Sequence, residues 1–162
     1  MSIISDAIHA KCLAFSDRII KLNDYLLEQA SQRYDVRKGK SAFSHQTSNI
    51  SQPSSFRHRT SRVPVHLQSV AALANQLLRS GTSIGANNAE ATNAVSKTDY
   101  RSKSYIALKE ARESLYWIEL LHRNSYIDDK QYQSIYADCE ELVKLLVHRC
   151  KKIDAQLRED NK

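Results

Sequence analysis

The sequence predicts an all-α protein, an antiparallel up-and-down bundle of four long helices with a long disordered loop between the first and the second. Three observations support this fold class. The 162 residues include only 3 glycines and 2 prolines, so the chain has few turns and few helix breaks. Apolar residues recur every three or four positions along four stretches. The last three stretches are joined by short turns, which make neighbouring helices antiparallel.

Helix 1 is predicted over about residues 3–32, because its apolar side chains alternate between spacings of four and three. This is the pattern of a helix that packs on one side. Residues 1–33 are therefore the first helix of a single bundle domain. The stripe consists of Ile8, Cys12, Phe15, Ile19, Leu22 and Leu26.

Residues 34–63 lack this periodicity. They are rich in serine, contain Gly39 and Pro53, and have no leucine. A segment this polar buries too little apolar surface to offset the entropy of ordering, which predicts disorder in the free protein. The alternative is a loop that docks on the bundle through its larger apolar side chains. These are Phe43, Ile50 and Phe56.

Residues 64–162 contain the other three helices. Helix 2 is predicted over about residues 64–94 and begins at Pro64, which suits the first turn of a helix. Gly81 and Gly85 lie inside it, and each costs about 1 kcal/mol relative to alanine. Since they are four residues apart, they share one face, and this pattern predicts the close approach of another helix.

Two capping boxes mark the starts of the last helices. Ser96 and Asp99 begin helix 3, predicted over about residues 97–123, and Asp128 and Gln131 begin helix 4, predicted over about residues 129–159. Helix 3 has more apolar and aromatic side chains than one seam requires, which indicates a subunit interface or else a broad core stripe. The candidate oligomer interface comprises Gly81, Gly85, Tyr105, Leu108, Tyr116 and Trp117.

The sequence also indicates a cytoplasmic protein. No stretch reaches the 18 or more apolar residues of a membrane helix, and the N-terminus lacks the order of a signal peptide. Cys12, Cys139 and Cys150 are odd in number and have no zinc-finger spacing, so we interpret them as reduced core thiols.

No constellation of residues predicts an enzyme, a metal or a cofactor. Glu119 and His122 have the Glu-x-x-His spacing of di-iron bundles, but it occurs once, where such a site needs it twice. We interpret the pair as a surface contact one turn apart. The chain also lacks a glycine-rich phosphate loop and a nucleophile elbow.

The net charge of +6 is unevenly distributed. Residues 33–66 hold seven basic residues and one acid, which leaves 17 basic and 17 acidic residues elsewhere. A polyanion would therefore meet the inserted segment first, and its arginines could contact successive phosphates. The alternative is a soluble tether. The candidate nucleic-acid contacts in this segment are Arg37, Lys38, Lys40, Arg57, Arg59 and Arg62.

Three motifs together carry a family resemblance: residues 76–90 (QLLRSGTSIGANNAE), residues 96–100 (SKTDY) and residues 106–117 (IALKEARESLYW). Over residues 64–150 the chain resembles the bacterial four-helix-bundle proteins encoded in intervening sequences of 23S ribosomal RNA genes. That family includes the accessory variability determinant of diversity-generating retroelements, which works beside a reverse transcriptase and binds nucleic acid.

The resemblance implies a homopentameric barrel whose partners are RNA or RNA–DNA and a reverse transcriptase. It makes Arg79, Lys103, Lys109 and Arg112 candidate nucleic-acid contacts, with salt bridges as the alternative role. Family members commonly join helices 1 and 2 by a short loop, from which residues 34–63 depart. The expected function is a non-catalytic accessory protein of a retroelement reverse transcriptase. The alternative is a structural or protein-interaction bundle with no nucleic-acid role.

Overall fold

The computed structural model describes residues 3–43 and 65–160, which form four α-helices and no strand. They are α1 (Ile3–Phe43), α2 (Val65–Thr92), α3 (Lys97–Arg123) and α4 (Asp129–Asp160). Each helix packs on the next in the chain, and α4 closes the ring through a smaller contact with α1. The predicted four-helix bundle is confirmed.

Helix α1 is longer than predicted. The sequence placed its end near residue 32 and the disordered segment at 34–63, whereas the helical backbone continues to Phe43. Arginine and lysine are good helix formers, and a single glycine such as Gly39 costs only about 1 kcal/mol, so the polar composition does not stop the helix. The rest of the predicted loop, residues 44–63, lies outside the described residues.

Both predicted helix starts are capped, and the full reciprocal box forms at α4, whereas at α3 Asp99 Oδ2 accepts from the Val95 N–H at 3.2 Å in place of the Ser96 N–H. The Asp99 backbone N–H donates to Ser96 Oγ at 3.1 Å. At α4 the two bonds are reciprocal, because the Gln131 N–H donates to Asp128 Oδ1 at 2.7 Å and the Asp128 N–H donates to Gln131 Oε1 at 3.0 Å. Each box satisfies backbone donors that would otherwise have no partner at a helix start.

The glycines of α2 allow α1 to approach closely. A Cβ atom at Gly81 would lie 2.9 Å from Ile19 Cγ1, whereas one at Gly85 would lie 3.6 Å from Cys12 Cβ. The predicted close approach is therefore confirmed, and it is made within the chain. Since both glycines face α1, they are not part of a surface open to a second copy.

One layer of the core is polar. Arg149, only 7% exposed, donates from Nη1 to Asn88 Oδ1 at 2.8 Å, and its guanidinium carbon lies 5.8 Å from the centre of the Tyr100 ring. Arg149 Nη2, Asn88 Nδ2 and Ser104 Oγ are buried without a hydrogen-bond partner among the described residues. This layer therefore buries a guanidinium beside an amide, with no carboxylate of the described ranges in ion-pairing distance.

The three cysteines are buried and form no disulfide, as the sequence predicted. Burial raises the pKa of Cys12 to about 11 and that of Cys139 to about 12. The Cys139 thiol donates to the Ala111 carbonyl at 3.3 Å. Within residues 3–43 and 65–160, no helix combines the length and the apolarity needed to cross a membrane.

Candidate nucleic-acid interface

The outer face of α3 combines basic and aromatic side chains. Successive spacings of four, four, three and four residues place these side chains on one side of the helix, opposite the buried residues. Lys109 and Arg112 are exposed, and neither has an ion-pair partner among the described residues. We name this set the α3 stripe. It consists of Arg101, Tyr105, Lys109, Arg112 and Tyr116.

The aromatic members of the α3 stripe are held by their neighbours. Tyr116 is 57% exposed, and its ring lies edge-on to Trp117 with the ring centres 4.8 Å apart. Trp117 in turn donates from Nε1 to Glu113 Oε1 at 3.0 Å. The Tyr116 ring is therefore exposed to solvent while Trp117 packs against it.

The other two predicted contacts on the bundle lie beside the stripe. Arg79 is exposed on α2, where its charge opposes the increase that burial and Glu113 cause in the pKa of Glu110. Lys103 forms an ion pair with Glu90 of α2, and the hydrogen bond from this pair raises the pKa of Lys103. The structure thus assigns Lys103 to the α2–α3 contact and leaves Arg79, Lys109 and Arg112 open to solvent.

Arg101 is a stripe residue that the sequence reasoning missed. Its Nε donates to Asp154 Oδ1 on α4 at 2.6 Å, and its guanidinium carbon lies 4.8 Å from the centre of the Tyr105 ring. The Tyr105 hydroxyl donates to the other Asp154 oxygen, also at 2.6 Å. The four-residue spacing to Tyr105 could have indicated the cation–π contact. Asp154, 53 residues away, gave no sequence signal.

Two clefts lined by residues that the structure describes differ in charge. One of about 190 Å³ is lined by Arg101, Asp154, Leu157 and Arg158 at the end where α3 begins. A larger one of about 410 Å³ lies at the α3–α4 turn and includes His122, Asp128 and Asp129. The two carboxylates make the larger cleft unsuited to a phosphate, whereas the smaller cleft carries two guanidinium groups and one carboxylate.

The remaining predicted contacts lie at or beyond the end of α1. Arg37, Lys38 and Lys40 belong to its last turns. Arg57, Arg59 and Arg62 lie outside the described residues.

The structure places the predicted oligomer-interface residues in different environments. Leu108 is 7% exposed and belongs to the core, while Tyr105 and Trp117 are half-buried and hydrogen-bonded within the chain. Tyr116 alone of the α3 set is well exposed. A row that the sequence reasoning did not single out lies on α1 at intervals of seven residues. It consists of Leu13, Ile20 and Leu27, which are 55%, 45% and 40% exposed.

The Glu119 and His122 pair does not come together as a metal site. Glu119 accepts from Arg123 at 3.4 Å, and His122 Nε2 lies 2.7 Å from Asp129 Oδ1. His122 also stacks on Tyr132 with the ring centres 4.2 Å apart. In the part of the chain that the structure describes, no group of three or more potential metal ligands is assembled.

Comparison with known proteins identifies the family. Residues 58–148 match the 23S rRNA-intervening sequence protein family. Among solved structures, a protein of unknown function from the S23 ribosomal protein family of Bacteroides thetaiotaomicron is 34% identical, with a TM-score of 0.66. The similarity covers 92% of this chain and 99% of that one. No curated protein sequence matches the chain. This helical bundle belongs to the 23S rRNA-intervening sequence protein family.

Proposed function

We propose that this protein is a non-catalytic, homo-oligomeric accessory factor that binds RNA or RNA–DNA and assists a retroelement reverse transcriptase. The observation that carries the proposal is the α3 stripe, where Lys109 and Arg112 project into solvent between Tyr105 and Tyr116. Cations contact phosphates, and aromatic rings stack on unpaired bases. A stripe of both kinds suits a single strand better than a duplex.

Lys109 and Arg112 differ from several other surface cations of the bundle, which form ion pairs. Lys11 and Arg18 of α1 pair with Glu141 and Asp138 of α4. Lys97 pairs with Asp160. A polyanion gains less from a cation whose charge is already balanced than from an unpaired one, so Lys109 and Arg112 are expected to contribute more than Lys11, Arg18 or Lys97, together with the basic residues between Arg37 and Arg62.

A second candidate function is a protein-interaction bundle with no nucleic-acid role. The α1 row of Leu13, Ile20 and Leu27 favours it, because exposed apolar side chains at heptad spacing are typical of helix–helix contacts between subunits. The same row supports a homo-oligomer under either function. Light scattering on the purified protein tests the pentamer that the resemblance implies. A monomer would contradict the homo-oligomer that is expected under both functions.

Salt-dependent binding of single-stranded RNA to the full-length protein tests the leading proposal. The double variant Lys109→Gln, Arg112→Gln should bind about tenfold more weakly and show a salt slope lower by about 1 to 2, because two phosphate contacts are lost. The matched control is Lys144→Gln, Arg123→Gln. It removes the same charge from residues that already pair with a glutamate one turn away, Glu140 and Glu119.

Three outcomes are informative. Weaker binding by the stripe variant alone supports the proposal. Equal loss in both variants would reduce the effect to net charge and would reject the α3 stripe as the site. No salt-dependent binding by the unaltered protein would favour the interaction bundle. An accessory role further predicts that adding the protein increases the cDNA yield of its reverse transcriptase, and that the stripe variant does not.

A further inference from the structure

Arg101 is held in a fixed orientation by two different contacts. Its Nε atom donates to Asp154 Oδ1 at 2.6 Å, and its guanidinium carbon lies over the Tyr105 ring at 4.8 Å. Asp154 is fixed in turn, since its second oxygen accepts the Tyr105 hydroxyl at 2.6 Å. The hydrogen bonds from Tyr105 and Arg101 lower the pKa of Asp154, because both favour its charged form.

This arrangement uses only one of the three guanidinium nitrogens. Nη1 and Nη2 of Arg101 have no partner among the described residues. A guanidinium held at Nε presents its two terminal nitrogens as a flat fork, the geometry that matches two oxygens of a phosphate. Because the side chain is already ordered, less conformational entropy is lost when it binds an anion than for a freely moving arginine.

The fork lies beside a concavity that contains a second arginine. The cleft of about 190 Å³ is lined by Arg101, Asp154, Leu157 and Arg158. Arg158 also acts on Asp154, because its charge contributes to the lowered pKa of that carboxyl group. With two guanidinium groups and one carboxylate in its lining, the cleft has a local charge of +1.

We propose that Arg101 and Arg158 form a phosphate subsite that takes one backbone phosphodiester of a nucleic acid at the end of the α3 stripe where the helix begins. The inference rests on the proposed nucleic-acid function and adds to it a defined contact. Tyr105 and Asp154 act as positioning residues for Arg101. A strand bound at this subsite continues along α3 toward Lys109, Arg112 and Tyr116.

The test compares Arg101→Gln with Arg123→Gln by fluorescence anisotropy of a labelled single-stranded RNA over a salt series. Both variants remove one exposed arginine that pairs with a carboxylate, and both arginines lie on α3. Arg101→Gln should weaken binding about tenfold and lower the salt slope by about 1, because a bidentate charged contact is lost. Arg123→Gln should change affinity less than about twofold.

Two further variants separate the fork from simple charge. Arg101→Lys keeps the charge but loses the flat pair of donors, so it should recover less than half of the loss on a logarithmic scale. Tyr105→Phe keeps the ring under the guanidinium and removes only the bond to Asp154, so it should weaken binding a few-fold without changing the salt slope. Circular dichroism of each variant checks that the helical fold is retained.

The outcomes distinguish this inference from the function on which it rests. If the unaltered protein binds no RNA, the proposed function fails and the subsite fails with it. If RNA binds and Arg101→Gln behaves like Arg123→Gln, the phosphate subsite is wrong while the proposed function stands. Full recovery by Arg101→Lys would also overturn the subsite, because charge alone would then explain the effect.

Discussion

Two arginines near the start of α3 occupy opposite environments. Arg149 is inside the bundle, with an amide oxygen as its hydrogen-bond partner and the Tyr100 ring at 5.8 Å. Arg101 is at the surface, with a carboxylate as its partner and the Tyr105 ring at 4.8 Å. The buried charge therefore has the weaker partner, and the solvated charge has the stronger one.

This difference separates a stability role from a binding role. A buried guanidinium without a carboxylate carries a desolvation cost of several kcal/mol that one neutral hydrogen bond and a distant ring offset only in part. An exposed guanidinium has little such cost, and its ordering by Asp154 leaves two donors for a ligand. We call the buried Arg149 and Asn88 the inner layer and the exposed Arg101 and Asp154 the outer pair. We infer that altering the inner layer changes mainly the stability of the fold, and that altering the outer pair changes mainly binding.

The largest expected effect tests the inner layer. Asn88→Leu keeps the side-chain shape but removes the only described acceptor of Arg149, and it should lower the free energy of unfolding by about 3 kcal/mol. The double variant Asn88→Leu, Arg149→Met replaces both partners with apolar groups. It should lie within about 1 kcal/mol of the unaltered protein or exceed it in stability.

Urea denaturation of the three proteins measures this difference. The comparison is between the same leucine with and without the guanidinium beside it, so the leucine itself is common to both. If the single and double variants were equally destabilised, the cost would come from packing at position 88, and the buried charge would not be the cause.

The sequence predicted the helices well and this polar layer not at all. Helix periodicity and capping are local, so the starts of α3 and α4 could be read from Ser96 and Asp128. Arg149 lies on a helix that also carries Lys144, Lys151 and Lys152, so its residue type and position do not distinguish it from the cations of a solvated face. Its burial depends on Asn88, 61 residues away in sequence.

The same limit applies to the candidate interface. Lys109 and Arg112 were named from motif positions, and the structure leaves them exposed. Lys103, named in the same way, pairs with Glu90, and Arg101 was overlooked because its partner Asp154 lies on another helix. Sequence gives the residue types on a face, but which cations are neutralised is decided by the neighbouring helix.

The next largest effect is expected at the two glycines of α2. Replacing each of them tests how closely α1 and α2 are packed. Gly81→Ala places a Cβ 2.9 Å from Ile19 Cγ1, and Ile19 is only 1% exposed, so the core must shift. We expect a loss of about 1 to 2 kcal/mol after the gain in helix propensity. Gly85→Ala meets only ordinary contact at 3.6 Å and should stabilise by about 0.5 to 1 kcal/mol.

Thermal unfolding of both variants provides the measurement. Since each replaces a glycine of the same helix with alanine, the propensity gain is shared and the difference reports contact with α1. Equal stabilisation by both substitutions would show that Ile19 yields without cost, and the close approach of α1 and α2 would then not depend on Gly81.

The smallest effect on stability is expected in the outer pair, and it should depend on pH. The pKa of Asp154 is lowered below its ordinary value of 3.8, chiefly by the Tyr105 hydroxyl and then by Arg101. A carboxyl group whose pKa is lower in the folded protein stabilises the fold above its unfolded pKa. That contribution is lost as the pH falls through the folded pKa.

Asp154→Asn should therefore be slightly less stable than the unaltered protein at pH 7, and this deficit should shrink as the pH falls below about 4. Melting temperatures of both proteins across this range measure it. The deficit caused by Asn88→Leu should stay constant over the same range, because neither an amide nor a guanidinium titrates there. The opposite result would be a stability deficit that depends on pH for Asn88→Leu and does not for Asp154→Asn. It would contradict the assignment of the titrating carboxylate to Arg101, because a carboxylate would then act on Arg149.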